Sequence, residues 1–398
     1  MIRSSTRISR LFPSPASTLT SALRPAILIS AVAAMSLASA ARAQPTITNL
    51  GVLPGDTSSF YPSINANGTA VGGTSQGGSF PTTTVSAFRW TAGGGLQNLG
   101  SLFGGFTQST AISGDGSIVV GASNRPGSAR AFRWTAAGGM QNLGSLPGGG
   151  YSAALGISAD GSHIVGAADT ASFDLHAVRW SAGGIQDLGT LAGGATSSAS
   201  DISADASTII GTSDDAGGNF LAVRWTSGGG IESLGVLPGF EMSDAFATSA
   251  NGSVIVGSSG LLDFTSARAF RWTAGGGMQS LGSLGTDLQS EASSVTADGA
   301  IIAGSSGDDT SGYRAFLWSS DLGILDLNTY LPTLGIDLSG WTLRNATISA
   351  DGTALTGSGS FNGDTRVWLV SGIPTPGAAA VLALGGVFAG RRRRHSGK

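Results

Sequence analysis

The sequence predicts an all-β chain: a seven-bladed β-propeller of four-stranded repeats about 46 residues long, with the ring closed by the N-terminal strand. Three observations carry this prediction. Six tryptophans recur at near-constant intervals, Trp90, Trp134, Trp180, Trp225, Trp272 and Trp318, and Trp368 follows 50 residues later. A Ser-x-Asp/Asn-Gly phrase falls between two apolar runs in most repeats, as in Ser158-Ala159-Asp160-Gly161 and Ser349-Ala350-Asp351-Gly352. The repeats are also offset at the two ends. The seventh unit stops after its third strand at Trp368, while Ile47–Gly55 aligns with Met140–Gly148, a fourth strand and its loop. An open solenoid has no use for such an offset.

Each unit divides into strands a to d. In the third unit these are Ser152–Ser158, Ser162–Ala167, His176–Ser181 and Ile185–Leu191. Asp160-Gly161 is expected to join a to b as a two-residue hairpin turn, with the positive φ angles that Asp-Gly tolerates. Gly183-Gly184 joins c to d. Period-2 alternation in strand c sends Phe132 and Trp134 to one side and Ala131, Arg133 and Thr135 to the other. The tryptophans therefore read as blade core. The repeated Arg89, Arg133, Arg179, Arg224 and Arg271 read as stems packed between blades, since Leu317 and Val367 take that place in the last two units.

Composition fits many short strands joined by tight turns. Of 398 residues 64 are glycine and 11% are charged, yet 41% are hydrophobic and eight are tryptophan, which argues for a packed core. Ten of the 21 basic residues lie in the two end segments. The body keeps 11 arginines and no lysine against all 24 acids, and such a body repels a phosphate backbone, which excludes nucleic acid as a partner. There is no cysteine, hence no disulfide or thiolate metal site.

Residues 1–43 have the plan of a secretory signal peptide. Arg3, Arg7, Arg10 and Arg24 precede an apolar run from Ala26, and Ala41-Arg42-Ala43 offers a cleavage pattern before Gln44. Residues 44–372 are the repeat body. In the last segment, 373–398, Pro374-Thr375-Pro376 leads into the apolar run Ala378–Ala389 and the cluster Arg391-Arg392-Arg393-Arg394. That tail resembles the PEP-CTERM sorting tail of bacterial envelope proteins, departing from its commonest form at Thr375, where that form has Glu. The resemblance implies export and C-terminal sorting machinery as partners and membrane contact through the tail alone. A plain membrane anchor is the other reading of this run.

The phrases of the body resemble the HAF repeat of extracellular bacterial proteins. The triplet appears as Arg130-Ala131-Phe132, Arg268-Ala269-Phe270 and His176-Ala177-Val178. The resemblance implies an extracellular or outer-surface location and no particular activity.

Catalytic chemistry finds little to work with. His163 and His176 sit in strands, the body has no Lys, and no His pair has zinc-ligand spacing. The Gly-Gly-Gly runs lack the Lys-Ser/Thr of a phosphate loop. The expectation is a non-enzymatic surface or matrix scaffold without catalytic or cofactor-binding residues. The alternatives are a carbohydrate-binding propeller of extracellular polysaccharide, or a paired-carboxylate glycosidase or lyase. The b–c and d–a loops, which vary in length, are the expected recognition face. Thirteen acids are assigned to them, among them Asp169, Asp174, Asp214, Asp215, Asp244, Asp263, Glu291, Asp308 and Asp309. Asp214, Asp215, Asp308 and Asp309 form the candidate weak cation site, Ca²⁺ being the cofactor it implies. A solvated acidic surface is the simpler reading.

Overall fold

The computed structural model describes residues 45–78, 83–125, 128–308 and 312–373. Ala43, Gln44, Asp309, Pro374, Thr375, Pro376 and Arg391 to Arg394 lie outside them. Six four-stranded antiparallel sheets follow one another along the chain, each with its strands in sequence order. Blade 3 is typical, with a at Ser152–Ile157, b at Ile164–Asp169, c at Leu175–Ser181 and d at Gly184–Gly189. In blade 7 strand a is split into Trp341–Leu343 and Thr347–Ile348, both paired with strand b, Ala354–Phe361. Its strand c, Asp364–Ser371, pairs on the other edge with Thr46–Asn49, in register Thr46↔Ser371 to Asn49↔Trp368. The offset in the sequence is thus a closure, and the fold is a seven-bladed propeller.

Why the blades stay together follows from where the apolar side chains go. The core is seven clusters, and each is shared by two neighbouring blades. Phe132 and Trp134 of blade 2 pack with Ala70, Ala87 and Leu99 of blade 1. Ala131 turns the other way, to Trp180 and Val178 of blade 3. This is the alternation read from the sequence. Hydroxyls fasten the same seams. The Ser152 Oγ accepts from Ala131 N at 3.0 Å and donates to Gly144 O at 2.7 Å, both in blade 2. At the closure Ser59 Oγ accepts from Val367 N at 3.0 Å and donates to Gly51 O at 2.8 Å. The arginine stems also bridge blades. Arg89 Nε donates to Gly116 O at 2.6 Å, and the Arg224 guanidinium lies 4.6 Å from the Trp272 ring centre.

Two local expectations need correction. Asp160-Gly161 is not a two-residue turn. Ser158 N donates to His163 O and Gly161 N to Ser158 O, which makes a four-residue loop with positive φ at the glycine alone. The side chains decide this geometry: Asp160 Oδ1 accepts from Ser158 Oγ, Ser162 N and Ser162 Oγ at 2.7–3.0 Å. Strand b accordingly begins two residues later than expected. The second correction concerns Asn328–Gly340, which by its composition counts among the variable loops but is overlapped by the helix Leu327–Thr333. Asp326 caps it by accepting from Asn328 N, and Leu327 and Leu331, four apart, are both fully buried.

Candidate functional site

The seven a strands line a central cavity of ≈ 660 Å³. The a–b and c–d turns close one face of the ring. The a–b turns are stitched alike in every blade, from Asn65-Asn67-Thr69 to Ser349-Asp351-Thr353; those of blades 6 and 7 border a cavity of ≈ 430 Å³ with Ser319, Ser320 and Asp321. The b–c and d–a loops form the opposite rim. Among the described residues, eleven large apolar side chains stand exposed, and nine of them belong to this rim. Tyr61, by the channel, and Leu322, in a c–d turn, are the other two.

The b–c loops of blades 3, 4 and 5 share one construction. Thr170 N donates to Asp174 O and Phe173 N to Thr170 O. Asp215 N donates to Asn219 O and Gly218 N to Asp215 O. Blade 5 has the same turn one residue longer, with Leu261 N to Ser266 O and Phe264 N to Leu261 O. The second donor falls in the left-handed region each time, with φ of +69° at Phe173, +78° at Gly218 and +59° at Phe264. Glycine accepts that conformation freely, whereas a bulky aromatic pays for it in strain. Phe173 is nevertheless 81% exposed and Phe264 70%, so neither ring returns packing energy for the strain.

The carboxylates of these loops brace backbone. Asp214 Oδ1 accepts from Ala195 N at 2.9 Å and Thr196 N at 2.7 Å, and Asp169 Oδ1 from Tyr151 N at 2.6 Å. Asp215 accepts from Gly217 N and from both nitrogens of Asn219; the Asn219 hydrogen bonds, backbone first, hold its carboxyl below the usual range. The hydroxyl and backbone N–H of Thr265 do the same for Asp263. Asp214 and Asp215 belong to blade 4 and Asp308 to blade 6, with blade 5 between them. Among the described residues no three His, Asp or Glu side chains are placed to hold one metal ion.

Asp244 and Glu291, assigned from sequence to the rim loops, lie instead in strand a of blades 5 and 6, at matching positions opposite Ser258 and Ser305. The loop boundary was misplaced because the serines before them, Ser243 and Ser290, resemble loop residues yet are the buried fasteners between blades. Asp244 accepts from Thr212 Oγ1 at 2.7 Å, and burial pushes its carboxyl up. Burial and then the neighbouring Asp244 push Glu291 up, and Arg344 is exposed at the break in strand a of blade 7. Sequence reasoning missed Asp201. It sits in the wall of the channel in blade 4 and accepts from Thr248 N of blade 5 at 3.0 Å. Burial drives its carboxyl up to about 7 despite N–H groups of Ile202 and Thr248. Its signal was an acid where the matching strands carry Gly156, Ala247 and Ser294.

No family model matches the chain, and no curated protein does. Solved structures do match at the level of fold. The β-propeller domain of the Trilobed protease from Pyrococcus furiosus aligns with a TM-score of 0.53 at 8% identity, over 81% of this chain and 97% of that one. Oligogalacturonate lyase from Vibrio parahaemolyticus aligns with a TM-score of 0.52 at 9% identity, over 82% and 93%. These similarities define a propeller and nothing narrower. The Pyrococcus domain is described as having an open velcro topology; here the N-terminal strand completes the last blade.

Proposed function

We propose that this chain is an exported, non-catalytic binding propeller of the bacterial cell surface or extracellular matrix, which engages extracellular polysaccharide through its b–c and d–a rim. The observation that carries the reading is the gathering on that rim of nine of the eleven exposed large apolar side chains among the described residues, together with the rim carboxylates. Aromatic faces stack on the apolar faces of pyranose rings, and carboxylates accept from sugar hydroxyls. The leader and tail patterns support export, with cleavage between Ala43 and Gln44. Among the described residues no helix is long and apolar enough to cross a membrane, and the run Ala378–Ala389 lies outside them.

Two measurements test this. Mass spectrometry of the protein from its host should find a mature N-terminus at Gln44, and an intact Met1–Ala43 would refute export. A glycan array probed with the mature protein should give binding that competes with free oligosaccharide. No binding to any glycan would refute recognition.

Paired-carboxylate chemistry is the second reading, and the Asp244–Glu291 pair is what favours it. One carboxyl raised by burial and a neighbour's charge is the usual state of a general acid beside a base. Turnover of an envelope polysaccharide, lost in Glu291→Gln, would establish it in place of the first.

A further inference from the structure

Phe173 and Phe264 hold a conformation that suits glycine, at the tips of two loops built like the one that has Gly218 in that place. Strain without burial is retained where a side chain is wanted outside the protein. Each of the two phenylalanines has an acid next to it in the chain, Asp174 after Phe173 and Asp263 before Phe264. Phe220, 46% exposed, continues the strip on blade 4. The charge of this sector is predominantly negative. Its b–c and d–a loops carry acids and no Arg or Lys, and the Arg268 guanidinium, which reaches the rim from strand c of blade 5, donates to Ser266 Oγ and Leu288 O. Most of those acids are pinned by backbone N–H groups, as with Asp169, Asp214 and Asp215, so the negative field is fixed in place.

Resting on the polysaccharide reading above, we propose that the b–c loops of blades 3 to 5 form a docking strip for a polymer of amino sugars bearing free ammonium groups. Phe173, Phe220 and Phe264 are its stacking platforms, with Asp174 and Asp263 beside them. The charge sets the class. A polyuronate would meet like charge over most of the sector, Arg268 at its blade 5 end excepted, and a neutral glycan would leave the exposed carboxylates without a cationic partner. An extended polymer is the occupant because the two strained rings sit on blades 3 and 5 with a blade between them. A short ligand at one ring would leave the other without a use.

Calorimetry on the mature protein tests this with four probes: glucosamine hexamer, N-acetylglucosamine hexamer, galacturonate hexamer and hexalysine. Glucosamine hexamer is expected to bind best, and more weakly as salt is raised. The double variant Phe173→Gly, Phe264→Gly should weaken that binding about tenfold or more, the factor that ~1.4 kcal/mol represents. Its melting temperature should be unchanged or higher, because glycine relieves the strain. That pairing separates a binding role from a structural one, which would lower melting. Asp174→Asn with Asp263→Asn should flatten the salt dependence. Equal binding of the N-acetylated hexamer overturns the charge assignment. Hexalysine binding that depends equally on both phenylalanines overturns the sugar. Glycan binding that the double variant leaves intact overturns the strip while the broader reading stands. If no glycan binds, both fall.

Discussion

Asp201 makes the stability of the ring depend on pH in a direction opposite to that of an ordinary surface carboxylate. Its folded-state pKa of about 7 lies above the ordinary aspartate value of 3.8. Between those values the folded chain keeps a proton that the unfolded chain has released, so stability is full below about pH 4 and falls as pH rises to about 7. At ~1.4 kcal/mol per pH unit the span corresponds to about 4 kcal/mol. The carboxyl lines the central channel and is only half-buried there, and solvent screening reduces the figure to about 2 kcal/mol. Asp201→Asn keeps an oxygen for Thr248 N and removes the ionisation. At pH 8 the variant should melt about 4 °C above the parent, taking ~2 °C per kcal/mol for a chain of this size. At pH 4 the two should coincide. Differential scanning calorimetry at half-unit steps from pH 4 to 8 measures it. A parent and variant whose curves stay parallel across that range would show that the burial of Asp201 does not control its proton.

Three further outcomes follow from the seams and turns. Deleting residues 44–55 removes the closing strand together with Leu50 and Leu53, each 5% exposed, which at ~1.5–3 kcal/mol per buried side chain is about 4 kcal/mol before hydrogen bonds. Chemical denaturation should show the whole ring losing that stability in one transition, and an unchanged midpoint would count against closure. Ser59→Ala leaves Val367 N and Gly51 O without their partner at the same seam, at a penalty of about 1–3 kcal/mol; Ser172→Ala, on an exposed loop, should show no change in the same urea titration. At the acid end, hydrogen bonds from the neighbouring Ser or Thr hold Asp115, Asp160, Asp205 and Asp298 below the usual range, Asp160 at about 2. Groups lowered in this way stabilise fully above pH 4 and lose their effect as pH falls toward 2, so unfolding monitored by tryptophan fluorescence should begin in that interval.

The architecture was legible because each repeat writes it again. The Trp spacing, the strand c alternation and the displaced fourth strand each specify something that one unit cannot provide for itself, and all three agree. The turn geometry was not legible, since Asp-Gly fits two loop types and the choice rests with the serine hydroxyls on either side. Asp244 and Glu291 were misplaced for a related reason: short Ser-acid-Ala stretches have loop composition, and only the pairing with strand b shows that they lie within strand a. Phe173 and Phe264 went unremarked because their significance lies in a backbone angle, and no residue count reveals that.

Closure by the N-terminal strand also decides which way the ring would stand. Strand c of blade 7 runs from the rim toward the tight-turn face, and Ser371 at its end pairs with Thr46 at the start of the closing strand. Ile373 N then donates to Thr353 O, in the a–b turn of the same blade. Both ends of the body therefore leave the ring side by side, on the face away from the variable loops. A propeller tethered by its C-terminal tail would rest on its uniform turns like a table on its feet, with the aromatic rim held up to the surroundings. On the proposed reading, cleavage before Gln44 would leave the proposed binding face untouched.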